Sequence, residues 1–309
     1  MKGRSRTIGT IALVVTAALW GSNHVVARAA REFVPLPALV FWRWALAVTL
    51  LTLIALPSCR TAWPAIRPRL RELAVGGAIG VGLFSYALLG GAYQSLAIEV
   101  GFINATTPMW VLLLGLITGR LPTDDAIKPE IIGGLALAFI GTILIISKGH
   151  IETITTLQFS LGNLWSLLAA IAFAWFSIWV REWSQAIPPL PLTVVTGWAG
   201  VLFVMLPVYV VWLLCGGAWI SSDSNKMPQA LSVIGYIGLA PTMLGNLFYL
   251  YGVATNGPAQ AATFLYLSPL FSAVLAVAWL DEHIAWFHFA GVTAILLGLY
   301  FVSRSPTKP

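Results

Sequence analysis

The residues of this chain that could do chemistry are polar and aromatic side chains set into otherwise apolar runs, and the chemistry they fit is the holding of a small molecule. Trp20, Asn23 and Ala27 share one helical face, with His24 beside them. Tyr86, Gly90 and Tyr93 follow at i, i+4 and i+7 with Gln94 adjacent, and Thr242, Asn246 and Tyr249 repeat that spacing. Asn104, Trp110, Trp175 and Tyr266 add an amide and large rings at mid-run positions. Arg43 is the basic residue deepest inside an apolar run; snorkelling outward, pairing with a carbonyl and holding a substrate carboxylate are all open to it. Asn23 must face a protein interior, because an unpaired amide in hydrocarbon is costly. Each group also has a plainer use. The amides could join helices, the mid-run Trp rings could be packing, and His24 is read as structural.

The elements that position these residues are apolar helices. Hydrophobic residues make up 59% of the chain and charged residues 9%, with a mean hydropathy of +0.87, whereas soluble domains carry about 25% charge. A hydrocarbon core about 30 Å thick needs roughly 20 apolar residues per helix. Ten runs meet that need, at approximately 7–29, 35–56, 72–96, 100–119, 129–148, 161–182, 190–215, 228–252, 257–280 and 284–303. The first is read as a retained helix, since it reaches Trp20 without a small-residue cleavage site. Placing the N-terminus inside assigns twelve Lys and Arg residues to inner segments and four to outer ones, so both termini are expected in the cytoplasm. The net charge of +6 is then a topology signal, not a nucleic-acid surface. Cys59 and Cys215 fall at opposite faces and cannot pair. Trp63, Trp183, Trp219 and Trp286, at run ends, read as interfacial anchors.

The runs form two copies of a five-helix unit, 1–150 and 151–309. Gly9, Trp20 and Arg28 recur as Gly162, Phe173 and Arg181 at an offset of 153. Pro108 recurs as Pro269, and Gly134 with Gly141 recurs as Gly291 with Gly298. Five is odd, so the second copy is inverted, an arrangement found in alternating-access transporters with the site between the copies. Pro108 and Pro269 are expected to break their helices and line that cavity. The expected fold class is an all-α integral membrane protein of ten transmembrane helices around a central cavity.

Trp20-Gly21-Ser22-Asn23, Arg43-Trp44, and Ser268-Pro269-Leu270 followed by Glu282 and Gly291 resemble the repeats of EamA-type members of the drug/metabolite transporter superfamily. The likeness spans nearly the whole chain. Where that family usually has an acidic residue after the fourth span, this chain has Gly119-Arg120-Leu121 and the Thr123-Asp124-Asp125 insertion. The resemblance implies export of small metabolites, often amino acids, across the bacterial inner membrane; the aromatic content looks most like the YddG-type aromatic amino-acid exporters. The expected partners are a small-molecule substrate and the bilayer, with no cofactor, metal, nucleic acid or obligate protein partner. Drug or other metabolite efflux by the same fold stays open.

No Asp or Glu is placed in the middle of a run. Glu99 reads as a turn residue and Glu282 as following the ninth run, so facilitated or weakly coupled export is expected over a carboxylate-gated antiporter. A membrane-embedded enzyme is the less favoured class, because Ser22 and His24 point about 200° apart on a helix and cannot act as nucleophile and base.

Overall fold

The computed structural model describes residues 2–120, 129–150, 152, 160–221, 223–256, 261, 264–265 and 267–304, and the regular structure among them is helical. Helix α1 (Lys2–Ala30) is followed by α2 (Leu36–Ile66), which starts after an extended Pro35 with a proline in its first turn. A 3-10 turn at Arg67–Arg69 leads to α3 (Leu70–Gly77), a π-helical stretch (Ala78–Leu83) and α4 (Phe84–Gln94). Then come α5 (Ala97–Asn104), α6 (Thr107–Ile117), α7 (Pro129–Ile146) and α8 (Leu161–Trp183). Helices α9 (Pro189–Gly200) and α10 (Leu206–Leu214) are joined by a π stretch, Val201–Met205. Another, Gly238–Leu244, joins α11 (Met227–Ile237) to α12 (Gly245–Asn256). Last are α13 (Leu267–Leu280) and α14 (Trp286–Arg304).

Among the described residues, six helical segments are long and apolar enough to cross a membrane: Arg6–Ala30, Leu36–Gln94, Ala97–Ile117, Leu161–Trp183, Pro189–Leu214 and Ser224–Asn256. At 1.5 Å per residue the second would extend about 88 Å if straight, far beyond a core of about 30 Å. It does not run straight. Trp44 Nε1 donates to Ser85 Oγ at 2.8 Å, so the segment folds back at the Arg67–Arg69 turn. The outer surface is lined with apolar side chains such as Ile11, Leu53, Ile117, Leu214 and Val274, as hydrocarbon solvation requires.

Helices α7 and α14 meet backbone to backbone through the glycines that recur in the sequence. A Cβ on Gly141 would lie 2.5 Å from the Gly291 carbonyl oxygen, and one on Gly298 would lie 2.3 Å from that of Gly134. Lipid gives helices little hydrophobic reason to associate, so close approach at small residues has to supply the contact.

Two expectations change. Trp63, Trp219 and Trp286 are exposed, but Trp183 is only 2% exposed, because Gly76 leaves room for its ring and Glu72 lies 3.4 Å from its Nε1. Pro108 and Pro269 stand near the first turns of α6 and α13, beyond breaks in the chain's helical course. There a missing N–H leaves no intrahelical carbonyl unpaired, so the frayed carbonyl expected of a mid-helix proline does not arise. Tyr266 and the Thr123 to Ala126 insertion lie outside the described residues.

Candidate functional site

The sequence around Pro241 determines the local geometry of the candidate site. Proline has no N–H for the carbonyl four residues earlier, and the helix widens into the π stretch Gly238–Leu244. The Thr242 hydroxyl donates to the Ile237 carbonyl left over, at 2.7 Å. The Thr242 hydroxyl oxygen itself accepts from Arg43 Nη1 at 3.2 Å. Trp20 Nε1 donates to the Pro241 carbonyl at 3.0 Å, and its ring sits 5.4 Å from that of Tyr249. A π turn of this kind is a recurrent way to expose backbone groups at functional sites.

Beside Arg43, two side chains of α1 are also buried with polar atoms unpaired. Arg43 is 4% exposed and its Nε has no partner; Asn23 and His24, each 6% exposed, leave Oδ1 and Nδ1 unpaired. His24 lies within electrostatic reach of Arg43. Arg43 is seven residues into α2 and Asn23 seven residues before the end of α1, so both lie about 10 Å in from that end of the bundle. Buried polar groups in folded proteins are nearly all paired. Together a guanidinium donor, an amide acceptor and an imidazole nitrogen are the groups that a ligand with both a carboxylate and an ammonium group would need.

Nearer the end of the bundle, past these groups, a charged clamp closes it. Glu282, just past α13, accepts from the backbone N–H groups of Ala97 at 2.9 Å and Ile98 at 3.1 Å, the free donors at the start of α5. Arg28 Nε lies 2.7 Å from the same carboxylate, and Arg28 Nη1 also donates to the Ser95 carbonyl. The neighbouring Glu99 is 1% exposed, and Lys148 Nζ stands 3.6 Å from its Oε1. At the opposite end Arg120 Nε is 3.6 Å from Glu182 Oε2, in an exposed pair, with the Arg120 guanidinium 3.6 Å above the Trp179 ring.

The remaining residues singled out from the sequence divide clearly. Tyr86 reaches the Met205 carbonyl across the bundle at 3.5 Å. Tyr93 donates to the Val34 carbonyl at 2.7 Å, tying down the α1–α2 connection. Asn104 and Asn246 spend an N–H on carbonyls of their own chain four residues back, Val100 and Thr242, and Trp110 Nε1 reaches Thr106 Oγ1. Trp175 lies 5.6 Å from Trp179 in a groove shared with Arg71, Glu72, Val75 and Trp183, at the opposite end from Arg28. Pro108 is exposed and Pro269 buried. Ser22 bonds the Leu19 carbonyl and the Tyr236 hydroxyl. Sequence reasoning passed over Thr242 as an Arg43 partner, the joining of Arg28 to Glu282, and the burial of Glu99. Signals existed for the second, in the recurrence of Arg28 and the landmark Glu282, but nothing in either local sequence names the other as its partner.

The chain is similar to several transporters. The uncharacterized transporter YetK of Bacillus subtilis is 26% identical over 302 residues, covering 97% of this chain and 88% of that protein. YyaM of the same species is 24% identical over 269 residues, 85% of this chain and 82% of the other. A probable terminal-alkyne amino-acid exporter of Streptantibioticus cattleyicolor is 26% identical over 276 residues, 88% and 85% respectively. A crystal structure 14% identical in sequence shares the fold with a TM-score of 0.59 over 98% of this chain and 97% of its own. The model of the EamA-like transporter family matches residues 7–147 and again residues 160–304, and the chain therefore belongs to that family of multi-pass membrane transporters.

Proposed function

We propose that the protein exports small zwitterionic metabolites, amino acids with aromatic or apolar side chains, across the bacterial inner membrane by alternating access. In this reading ten spans form two inverted repeats, 1–150 and 151–309, with both termini in the cytoplasm. The double match to the family model and the π stretches beginning at residues 78 and 238 support the repeat. The probable amino-acid exporter among the relatives supports the substrate class.

One observation carries the proposal: Arg43, held by Thr242 of a π turn and within electrostatic reach of His24, is buried with a polar atom unpaired, as are His24 and Asn23 on α1. Arg43 takes the substrate carboxylate, and the Asn23 oxygen takes the ammonium group. Trp20 and Tyr249 form the aromatic wall against which an apolar side chain packs. Tyr86, Trp110 and Trp175 belong to the path or its walls, while Tyr93, Asn104, Asn246, Pro108 and Pro269 shape the helices beside it. The Ser22 hydroxyl is engaged by that of Tyr236, which supports binding over cleavage.

The test is counterflow of a labelled amino-acid panel in liposomes containing the purified protein. Phenylalanine should exchange, and Arg43→Met should reduce exchange at least tenfold, the effect of losing an interaction of about 1.4 kcal/mol or more. Phenethylamine, which lacks the carboxylate, should compete poorly. Equal competition by phenethylamine and phenylalanine would remove Arg43 from substrate binding.

A further inference from the structure

A second group of buried polar atoms lies beside the clamp and is used neither by the clamp nor by the pocket. Glu99, in the first turn of α5, is 1% exposed, and neither carboxylate oxygen has a hydrogen-bond partner within 3.5 Å. Asn163, near the start of α8, is fully buried and lies within reach of a long, weak hydrogen bond to that carboxyl, but neither its Oδ1 nor its Nδ2 has a partner within 3.5 Å. The groups facing Glu99 from the surrounding elements are Lys148 after α7, Glu282 after α13, Arg28 at the end of α1 and Asn163; His288, at the start of α14, interacts with Lys148.

None of these completes the carboxyl. Lys148 is half exposed and stands at 3.6 Å, well outside the roughly 2.7–2.9 Å of a charge-assisted bond. Arg28 is committed to Glu282 and to the Ser95 carbonyl. The His288 Nδ1 accepts from the Ala285 N–H and its Nε2 is unpaired. A bare carboxylate in a water-free setting is costly. What fits between it and an unpaired amide oxygen is a small cation. A proton on Glu99 would let the carboxyl donate to Asn163 Oδ1, and Na+ would find hard oxygen ligands in both side chains.

We propose that Glu99 and Asn163 form the binding site of a monovalent coupling cation, H+ or Na+, that drives the transport proposed above. The sequence reading placed Glu99 at a turn and favoured facilitated or weakly coupled export; the structure keeps Glu99 in the first turn of α5 but buries it, and that burial is the reason to consider a coupling ion. The site spans α5 and α8 beside the ends of α1, α13 and α14, which the clamp holds together. A cation that binds this closed arrangement better than an open one shifts the balance toward closure, so an ion gradient can drive the cycle.

The cation site can be tested without substrate. Purified full-length protein is examined by infrared difference spectroscopy between about pH 5 and about pH 9, and by equilibrium binding of radiolabelled Na+. Expected is either a protonated-carboxyl band or saturable Na+ binding that disappears in Glu99→Gln. Asn163→Ala, which keeps Glu99, should shift the band or weaken Na+ binding about tenfold; this variant decides the matter if Glu99→Gln does not fold. A wild-type protein with neither signal, or variants that leave it unchanged, overturns the inference. In liposomes, phenylalanine accumulation should respond to a gradient of the cation so identified and not to the other. A Glu99-dependent signal without phenylalanine exchange would sink the substrate assignment and leave the cation site standing.

Discussion

Arg28 and Glu282, 254 residues apart in the chain, form an ion pair at 2.7 Å that also caps the start of α5. The Glu282 carboxylate thus joins the ends of three elements, α1, α5 and α13, at one end of the bundle. The pair near the other end, Arg120 with Glu182, is longer and exposed. In the proposed topology the clamp faces the outside, so the outer gate is the tighter one.

Glu282→Ala should lower the unfolding free energy by about 3 kcal/mol, since it strands a largely buried guanidinium and two backbone donors. Glu282→Gln should lose less, because the amide oxygen still accepts. Thermal unfolding of the detergent-solubilised protein measures both, and a midpoint unmoved in Glu282→Ala would show that the clamp carries no stability.

Glu182→Gln should change stability by less than about 1 kcal/mol, as expected for an exposed pair. An effect equal to that of Glu282→Gln, in the same unfolding assay, would contradict the asymmetry of the two ends.

Thr242→Val removes the hydroxyl that pairs both Ile237 and Arg43. A loss of about 1–3 kcal/mol and weaker phenylalanine exchange are expected, with Thr242→Ser close to wild type. If Val and Ser behave alike in exchange and unfolding, the hydroxyl does not position Arg43.

Gly141→Ala and Gly298→Ala should each destabilise by about 1–3 kcal/mol, because the added methyl meets the backbone of the facing helix, which cannot swing aside. Gly133→Ala, whose Cβ would meet nothing within 4 Å, should be neutral or stabilising by up to about 1 kcal/mol. Reversed rank order in unfolding midpoints would show that α7 and α14 do not pack as described.

Composition and periodicity were enough for the helical, membrane-spanning character of this chain, because they depend on residues within a turn or two of one another and on the solvent each segment demands. The depth of Arg43 within its apolar run and the recurrence of the glycines of α7 and α14 were legible for the same reason, though not that Arg43 is buried or that those glycines face one another. Tertiary structure alone decided which buried groups meet. Pro241 opens a π turn whose leftover carbonyl recruits Thr242, and through it Arg43. Gly76 makes room for Trp183, which the sequence placed at an interface. Glu99 reads as a turn residue until α7, α8 and α13 close around it. A carboxylate's charge is written in the sequence, but its partners and its contact with water are set by helices that pack beside it from far along the chain.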